Sequence, residues 1–312
     1  MNMKNFEQPP ATDIKSQLEQ VPGMSQVRKV IIDEDFLQRA QEDLYKNNPE
    51  LVEKIREQSE HIDAYTYKYL SDGLSIRGYL WVPKDTKDSL PLVLWNRGGT
   101  GHFGEIGDYN GGLMLHTGGD IARIGVAVAA TEYRGGGYDT EGTDERGGAD
   151  LADVTHLREM MQKLPITEKG KNIVVGMSRG GMMAYMLASR EPWVKGVISI
   201  SGEADLIMSE NERPEMKEIY DEAFGGSDEE KKKRSATYFY NDIPSDLPIL
   251  ILHGDADERV SVDQSRKLYQ LLKDSGHNVT YYEYAGAGHG LGEAEDQLLA
   301  SIEEFIKENT KE

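Results

Sequence analysis

Three residue types, spread widely along this chain, have the chemistry of nucleophilic catalysis. The first is Ser178, in the run Val174-Val175-Gly176-Met177-Ser178-Arg179-Gly180-Gly181. Glycines two positions before and two after a serine mark a nucleophile elbow, a strained strand-to-helix turn that lifts the hydroxyl clear of the backbone. Side chains at the flanking positions would clash across so sharp a turn, so glycine holds both. The surroundings fit, because an apolar stretch (172–175) leads in and helix-forming residues (182–188) lead out. A serine hydroxyl is a weak nucleophile until a base takes its proton. His289, in Gly286-Ala287-Gly288-His289-Gly290, follows the last apolar stretch and is the candidate base. The base in turn needs a carboxylate to fix its tautomer and stabilise the imidazolium. Asp255, Asp257 and Glu258 all follow the apolar stretch 248–252 and compete for that role.

Residues so far apart need a scaffold to bring them together. From Ala64 onward, strand-like and helix-like stretches alternate. Residues 65–70 and 75–82 flank Ser71-Asp72-Gly73 and are predicted to form a hairpin. Apolar runs follow at 91–95, 125–131, 172–176, 196–200, 248–252 and 279–284, most of them separated by helix-length segments. Continuous apolar strands alternating with helices require a mostly parallel sheet covered on both faces. Serine after one strand, acid after a later one and histidine after the last is the order of the α/β-hydrolases. The expectation is therefore an α/β-hydrolase fold, a mostly parallel eight-stranded sheet with helices on both faces. Residues 1–62 are more polar, with Phe36, Leu37, Leu44, Leu51, Val52 and Ile55 spaced among charges. They are predicted to form an N-terminal helical extension, outside a catalytic domain at 63–312. An insertion at about 203–246 interrupts the alternation, and its run Asp228-Glu229-Glu230-Lys231-Lys232-Lys233-Arg234 is predicted to be a solvated helix face. The extension and the insertion are both candidates to cover the site.

The bulk composition narrows the partners. A chain of 312 residues can bury a sizeable core, and 38% hydrophobic with 29% charged residues is a globular balance. A formal net charge of -20 repels phosphate backbones and anionic lipid heads, so neither nucleic acid nor a membrane is an expected partner. The absence of cysteine removes disulfides, thiolate metal sites and a cysteine nucleophile. Residues 1–10 lack the apolar core of a signal peptide, which points to the cytoplasm. No metal site and no cofactor are expected. No motif sets an oligomeric state.

Several segments together resemble the prolyl oligopeptidase family. Ile249-Leu250-Ile251-Leu252-His253-Gly254-x-x-Asp257-x-x-Val260 is similar to its acid loop, and the resemblance implies Asp257 as the acid. Tyr69-Leu70-Ser71-Asp72-Gly73-Leu74-x-Ile76-x-Gly78-Tyr79-Leu80 resembles its opening hairpin. Glu132-Tyr133-Arg134-Gly135, Gly147-Gly148-Ala149-Asp150-Leu151-x-Asp153-Val154 and Arg234-Ser235-Ala236 resemble further stretches. The resemblance spans roughly 64–306 and implies a serine hydrolase. Two features depart from it. About 60 residues precede the hydrolase part, too few for the β-propeller that the family's peptidases usually carry. The family's His-Gly-Gly-Pro segment reads Arg97-Gly98-Gly99-Thr100 here. Without a propeller to gate substrate size, esterase chemistry stands beside peptidase chemistry.

An oxyanion hole needs donors aimed at the developing charge. The backbone N–H of Arg179 is one candidate, and Gly98 or Gly99, after the third strand, supplies the other. Tyr133 is a further candidate donor. Arg134 is a candidate to hold a substrate carbonyl or carboxylate, whereas the side chain of Arg179 fits an ion pair better. Gly99-Thr100-Gly101-His102-Phe103-Gly104 spells a dinucleotide fingerprint, with Asp120 as a partner acid, but it lies outside the first βαβ unit and is discounted. Asp255, Asp257 and Asp263 lack the glycine and terminal glutamate of a calcium loop. The sequence thus points to a serine hydrolase acting on a small ester or short peptide through Ser178, His289 and Asp257. The alternatives are an exopeptidase or oligopeptidase of the resembled family, and an inactive hydrolase fold used for binding.

Overall fold

The computed structural model describes residues 13–39, 42, 49–104, 106, 118–137 and 139–311. Among the described residues nine strands form one sheet: β1 (Met24–Lys29), β2 (Ile62–Ser71), β3 (Leu74–Pro83), β4 (Leu90–Asn96), β5 (Ala127–Thr131), β6 (Thr167–Met177), β7 (Gly196–Ile200), β8 (Ile249–Gly254) and β9 (Val279–Tyr284). Their order is β1-β2-β3-β5-β4-β6-β7-β8-β9. Pairing is antiparallel from β1 to β5 and parallel from β5 to β9. The helices are α1 (Ile14–Glu19), α2 (Glu34–Arg39), α3 (Pro49–His61), α4 (Asp150–Met161), α5 (Arg179–Arg190), α6 (Leu206–Glu212), α7 (Met216–Phe224), α8 (Asp228–Lys233), α9 (Ala236–Phe239), α10 (Val262–Asp274) and α11 (Glu295–Thr310).

Successive side chains of a strand point to opposite faces, so a strand buried on both sides feeds two cores. Leu92, Leu94, Val174, Ile249 and Ile251 join one apolar cluster with α4, α5 and α10 residues such as Leu157, Met183 and Leu268. Val93, Trp95, Ile173, Val175, Leu250 and Leu252 join the other, with Ile55 of α3 and Ile302 and Ile306 of α11. This double burial is why the parallel strands read as unbroken apolar runs.

Two expectations for the sequence are corrected. The sheet has nine strands rather than eight, because the extension expected to be helical contributes β1, which pairs with β2. Only Val27 of β1 is buried, and its neighbours are polar, so its alternation is too weak to register as a strand. Leu37, Val52 and Ile55 pack into the core as expected, while Leu44 lies outside the described residues. The charge run in the insertion forms α8, but it is not wholly solvated. Lys231 is buried against Glu210 at 2.6 Å, and the buried guanidinium of Arg234 donates to the Arg146 carbonyl at 2.9 Å.

Arg134 was a candidate substrate contact, and the structure instead makes it a tie within the fold. Its guanidinium donates to Asp153 of α4 at 2.8 Å and to Asp72 in the β2–β3 turn at 2.7 Å. Asp153 is fully buried and also accepts from Ser71 Oγ at 2.5 Å. Removing one partner of a buried pair strands the other charge without a counter-ion. Arg134→Ala should therefore destabilise the protein by about 3 kcal/mol, read as a lower urea midpoint at an unchanged slope.

Candidate active site

β6 ends in the elbow. Ser178 has φ 57° and ψ −123°, a region costly for a residue with a side chain, and α5 begins at the next residue. The turn is held from both sides, since Ser178 N–H donates to the Ile200 carbonyl at 2.9 Å and its own carbonyl accepts from Gly181 at 3.0 Å and Glu203 at 3.1 Å. A Cβ on Gly176 would lie 2.0 Å from the Gly180 carbonyl oxygen, and one on Gly180 would lie 2.0 Å from that of Asn96. Glycine is required at both positions because β4, the turn and α5 touch there backbone to backbone.

Asp257 follows β8 and His289 follows β9. His289 Nδ1 lies 2.8 Å from Asp257 Oδ2. Of the three competing acids, Asp257 is thus the one that meets the histidine. Asp255 instead accepts from the Gly286 N–H at 2.6 Å, and Glu258 is exposed. Oδ1 of Asp257 accepts from the N–H groups of Arg259 (2.8 Å) and Val260 (3.0 Å). Burial raises the pKa of Asp257, but hydrogen bonds from His253, His289 and Val260 outweigh it and hold the carboxyl well below the usual carboxylate range. An ionised acceptor at Nδ1 puts the His289 proton on that nitrogen and leaves Nε2 with its lone pair.

His253 was read only as part of a motif, and the structure gives it a contact with the acid. Its Nε2 is 3.1 Å from Asp257 Oδ2 and 2.9 Å from the Val260 carbonyl, and its Nδ1 is 2.7 Å from Ser265 Oγ. The Val260 carbonyl can only accept, so Nε2 carries the proton and Nδ1 accepts from Ser265.

Gly98 lies beside Ser178, since a Cβ there would come within 3.1 Å of Ser178 Cβ. Arg179, as the first residue of α5, has no intrahelical acceptor for its N–H. Its side chain is fully buried, donating to Asp144 (2.6 Å to each oxygen), to Asp150 and to the Gly99 carbonyl at 2.9 Å. Asp144, buried beside it, has its pKa lowered because Arg179 and two backbone N–H groups outweigh desolvation. Tyr133 does not face the site. It is buried, and its ring centre lies 5.3 Å from the guanidinium of Arg97 and 4.9 Å from that of Arg179, while its hydroxyl donates to the Arg97 carbonyl at 3.3 Å. Arg97, the departure from the resembled pattern, pairs with Glu132 at 2.8 Å and donates to the carbonyls of Gly98, Gly101 and Phe103. That clamp shapes the loop of the discounted fingerprint, and Asp120 is tied to α3 through Gln58 and Lys54 instead.

Ser178, His289 and Gly99 line one cavity of about 740 Å³. Sequence reasoning missed much of its wall: Asp144, Arg146 and Glu203, and Met216, Ile219 and Ala223 of α7. The last three and Glu203 belong to the insertion, so the segment that breaks the strand–helix alternation lines the site.

A model of the prolyl oligopeptidase family matches residues 120–312. The chain belongs to that family. It is accordingly a serine hydrolase with an α/β-hydrolase fold. It is 29% identical over 267 residues to the uncharacterized peptidase YtmA of Bacillus subtilis (strain 168), covering 82% of this chain and 99% of that protein. In fold it is similar to a Pyrococcus horikoshii acylaminoacyl peptidase, with a TM-score of 0.66 at 21% identity over 81% of this chain and 42% of the other. It is also similar to a Pyrococcus furiosus esterase, with a TM-score of 0.64 at 16% identity over 82% and 94% of the two chains. The elbow of this chain depends on its backbone contacts. Gly180→Ala should cost about 3 kcal/mol through overpacking, whereas Gly292→Ala, with no atom within 4 Å of the added Cβ, should stay within about 0.5 kcal/mol of wild type. Urea midpoints of the two variants check the contrast.

Proposed function

We propose that Ser178, His289 and Asp257 act as a catalytic triad that cleaves a carboxylic ester or a small amide through an acyl-enzyme. The observation that carries this reading is the 2.8 Å contact between Asp257 Oδ2 and His289 Nδ1 in a cavity that His289 shares with Ser178. His289 Nε2 takes the hydroxyl proton as Ser178 Oγ bonds to the carbonyl carbon. The carbonyl oxygen gains the charge and is met by the N–H of Arg179 and the backbone at Gly98. His289 returns the proton to the leaving group as its bond to carbon breaks. Water, deprotonated by the same nitrogen, then releases the acid and restores Ser178. Asp257 holds the ring and stabilises the imidazolium in both halves. No cofactor enters these steps, and the expected substrate is a small ester or short peptide.

A peptide substrate is the second reading, favoured by the peptidase name of the relative that aligns over nearly its whole length. Hydrolysis of p-nitrophenyl butyrate beside a panel of aminoacyl-naphthylamides ranks the two.

A fluorophosphonate probe should label the wild-type protein and spare Ser178→Ala, detected by intact-protein mass. Equal labelling of both would remove Ser178 from the mechanism, and no labelling of either would favour a binding protein. Asp257→Asn should keep the fold and lower kcat/KM by about 10³–10⁴-fold, because the amide favours the wrong imidazole tautomer. A loss below about tenfold would assign the orienting role elsewhere.

A further inference from the structure

Beside Ser178 the cavity wall carries an ion pair that the triad does not use. Glu203 is 4% exposed, and its N–H donates to the Ser178 carbonyl at 3.1 Å, which places it next to the nucleophile. Its Oε2 accepts from Nη2 of Arg146, itself 4% exposed. Nη1 of Arg146 donates to Thr100 Oγ1 at 2.5 Å, and its guanidinium lies 5.5 Å from the Tyr220 ring centre. Among the described residues, Oε1 of Glu203 has no hydrogen-bond donor, although the residue lines the cavity. That oxygen is accessible from the cavity, so a bound substrate that displaces water without donating to it would leave it unpaired.

Position says which part of a substrate would do so. The oxyanion side of Ser178 lies toward Gly98, at the end of β4, and the leaving group must reach His289, beyond β9. Glu203 follows β7, and the apolar stripe Met216, Ile219 and Ala223 of α7 stands on the same wall. The direction left for the acyl substituent is the one they line. Charge says what kind of donor fits. Arg146 already neutralises Glu203, so an ammonium brought to Oε1 would be desolvated without a net counter-charge, while a neutral N–H needs only an acceptor.

We infer that Glu203, held by Arg146, is a specificity residue that selects acyl groups carrying a neutral hydrogen-bond donor next to the scissile carbonyl, with an apolar body against α7. This rests on the triad reading above. The test compares three p-nitrophenyl esters of propanoic acid bearing at carbon 2 an acetamido group, an acetoxy group or a free ammonium, each normalised to its rate with hydroxide. The acetamido ester donates, the acetoxy ester has nearly the same shape without a donor, and the third is cationic. Wild type should turn over the acetamido ester about tenfold faster than either of the others, since the acetoxy ester leaves Oε1 unpaired. In Glu203→Gln the donor-only guanidinium claims the amide oxygen, which turns the amide NH₂ into the cavity. The acetamido-to-acetoxy ratio of kcat/KM should then fall to about one, with fluorophosphonate labelling of Ser178 reporting that the variant is folded. A wild-type ratio near one, an undiminished ratio in the glutamine variant, or faster turnover of the ammonium ester would each overturn the inference while leaving the triad standing. No turnover of any ester together with no labelling would overturn both.

Discussion

The buried guanidinium of Arg179 couples the two halves of the site. Its backbone N–H opens α5 directly behind Ser178, so the side chain leaves from the elbow itself. From there it spans Asp144, Asp150 and the Gly99 carbonyl. The loop after β4 is thereby fixed relative to Ser178 by a charge-assisted bond rather than by loop packing alone. Asp144 carries the tie further, since it also accepts from the N–H groups of Gly101 and Arg146. A buried cation with two buried carboxylates costs desolvation that pairing at both terminal nitrogens offsets, while Nε finds no acceptor among the described residues. The result is a rigid frame around a strained serine, and a strained turn persists only where its surroundings over-determine it.

Arg97 and Tyr133 extend that frame, and they show where sequence reasoning reached and where it stopped. The strands were legible because burial on both faces removes alternation and leaves apolar runs, and five of the six expected parallel runs matched the observed strands to within two residues at each end. The elbow and the two loops carrying Asp257 and His289 were legible because their residue types are dictated locally, by backbone clash or by chain order. Tyr133 was read as a further oxyanion donor and Arg134 as a holder of a substrate carbonyl or carboxylate. Both are consumed by contacts with residues distant in sequence: Tyr133 by two arginines, Arg134 by Asp72 and Asp153. Ion-pair choice depends on three-dimensional neighbours, and in a chain with 55 acidic residues no spacing rule selects among them. The same limit hid the wall made by α7, whose apolar stripe of Met216, Ile219 and Ala223 looks in sequence like any amphipathic helix.

The acid–base loops raise a question of what positions what. Glycines around His289 suggest a ring free to swing, yet the loop is moored to the acid loop at several points. Gly286 N–H reaches Asp255, the Ala287 carbonyl accepts from Ala256, and a Cβ on Gly254 would lie 2.1 Å from that same carbonyl oxygen. Asp257 is the fixed member. Two backbone N–H groups hold Oδ1, and His253, itself locked between Ser265 and the Val260 carbonyl, donates to Oδ2. Of the two histidines on Oδ2, His289 is the one that borders the cavity. A carboxylate satisfied from four directions cannot rotate to follow a moving imidazole, so His289 must come to it. The orientation of His289 is then set by β8 and its loop rather than by the glycine-rich segment that carries it, and the glycines of that segment serve to let the ring reach a partner already in place.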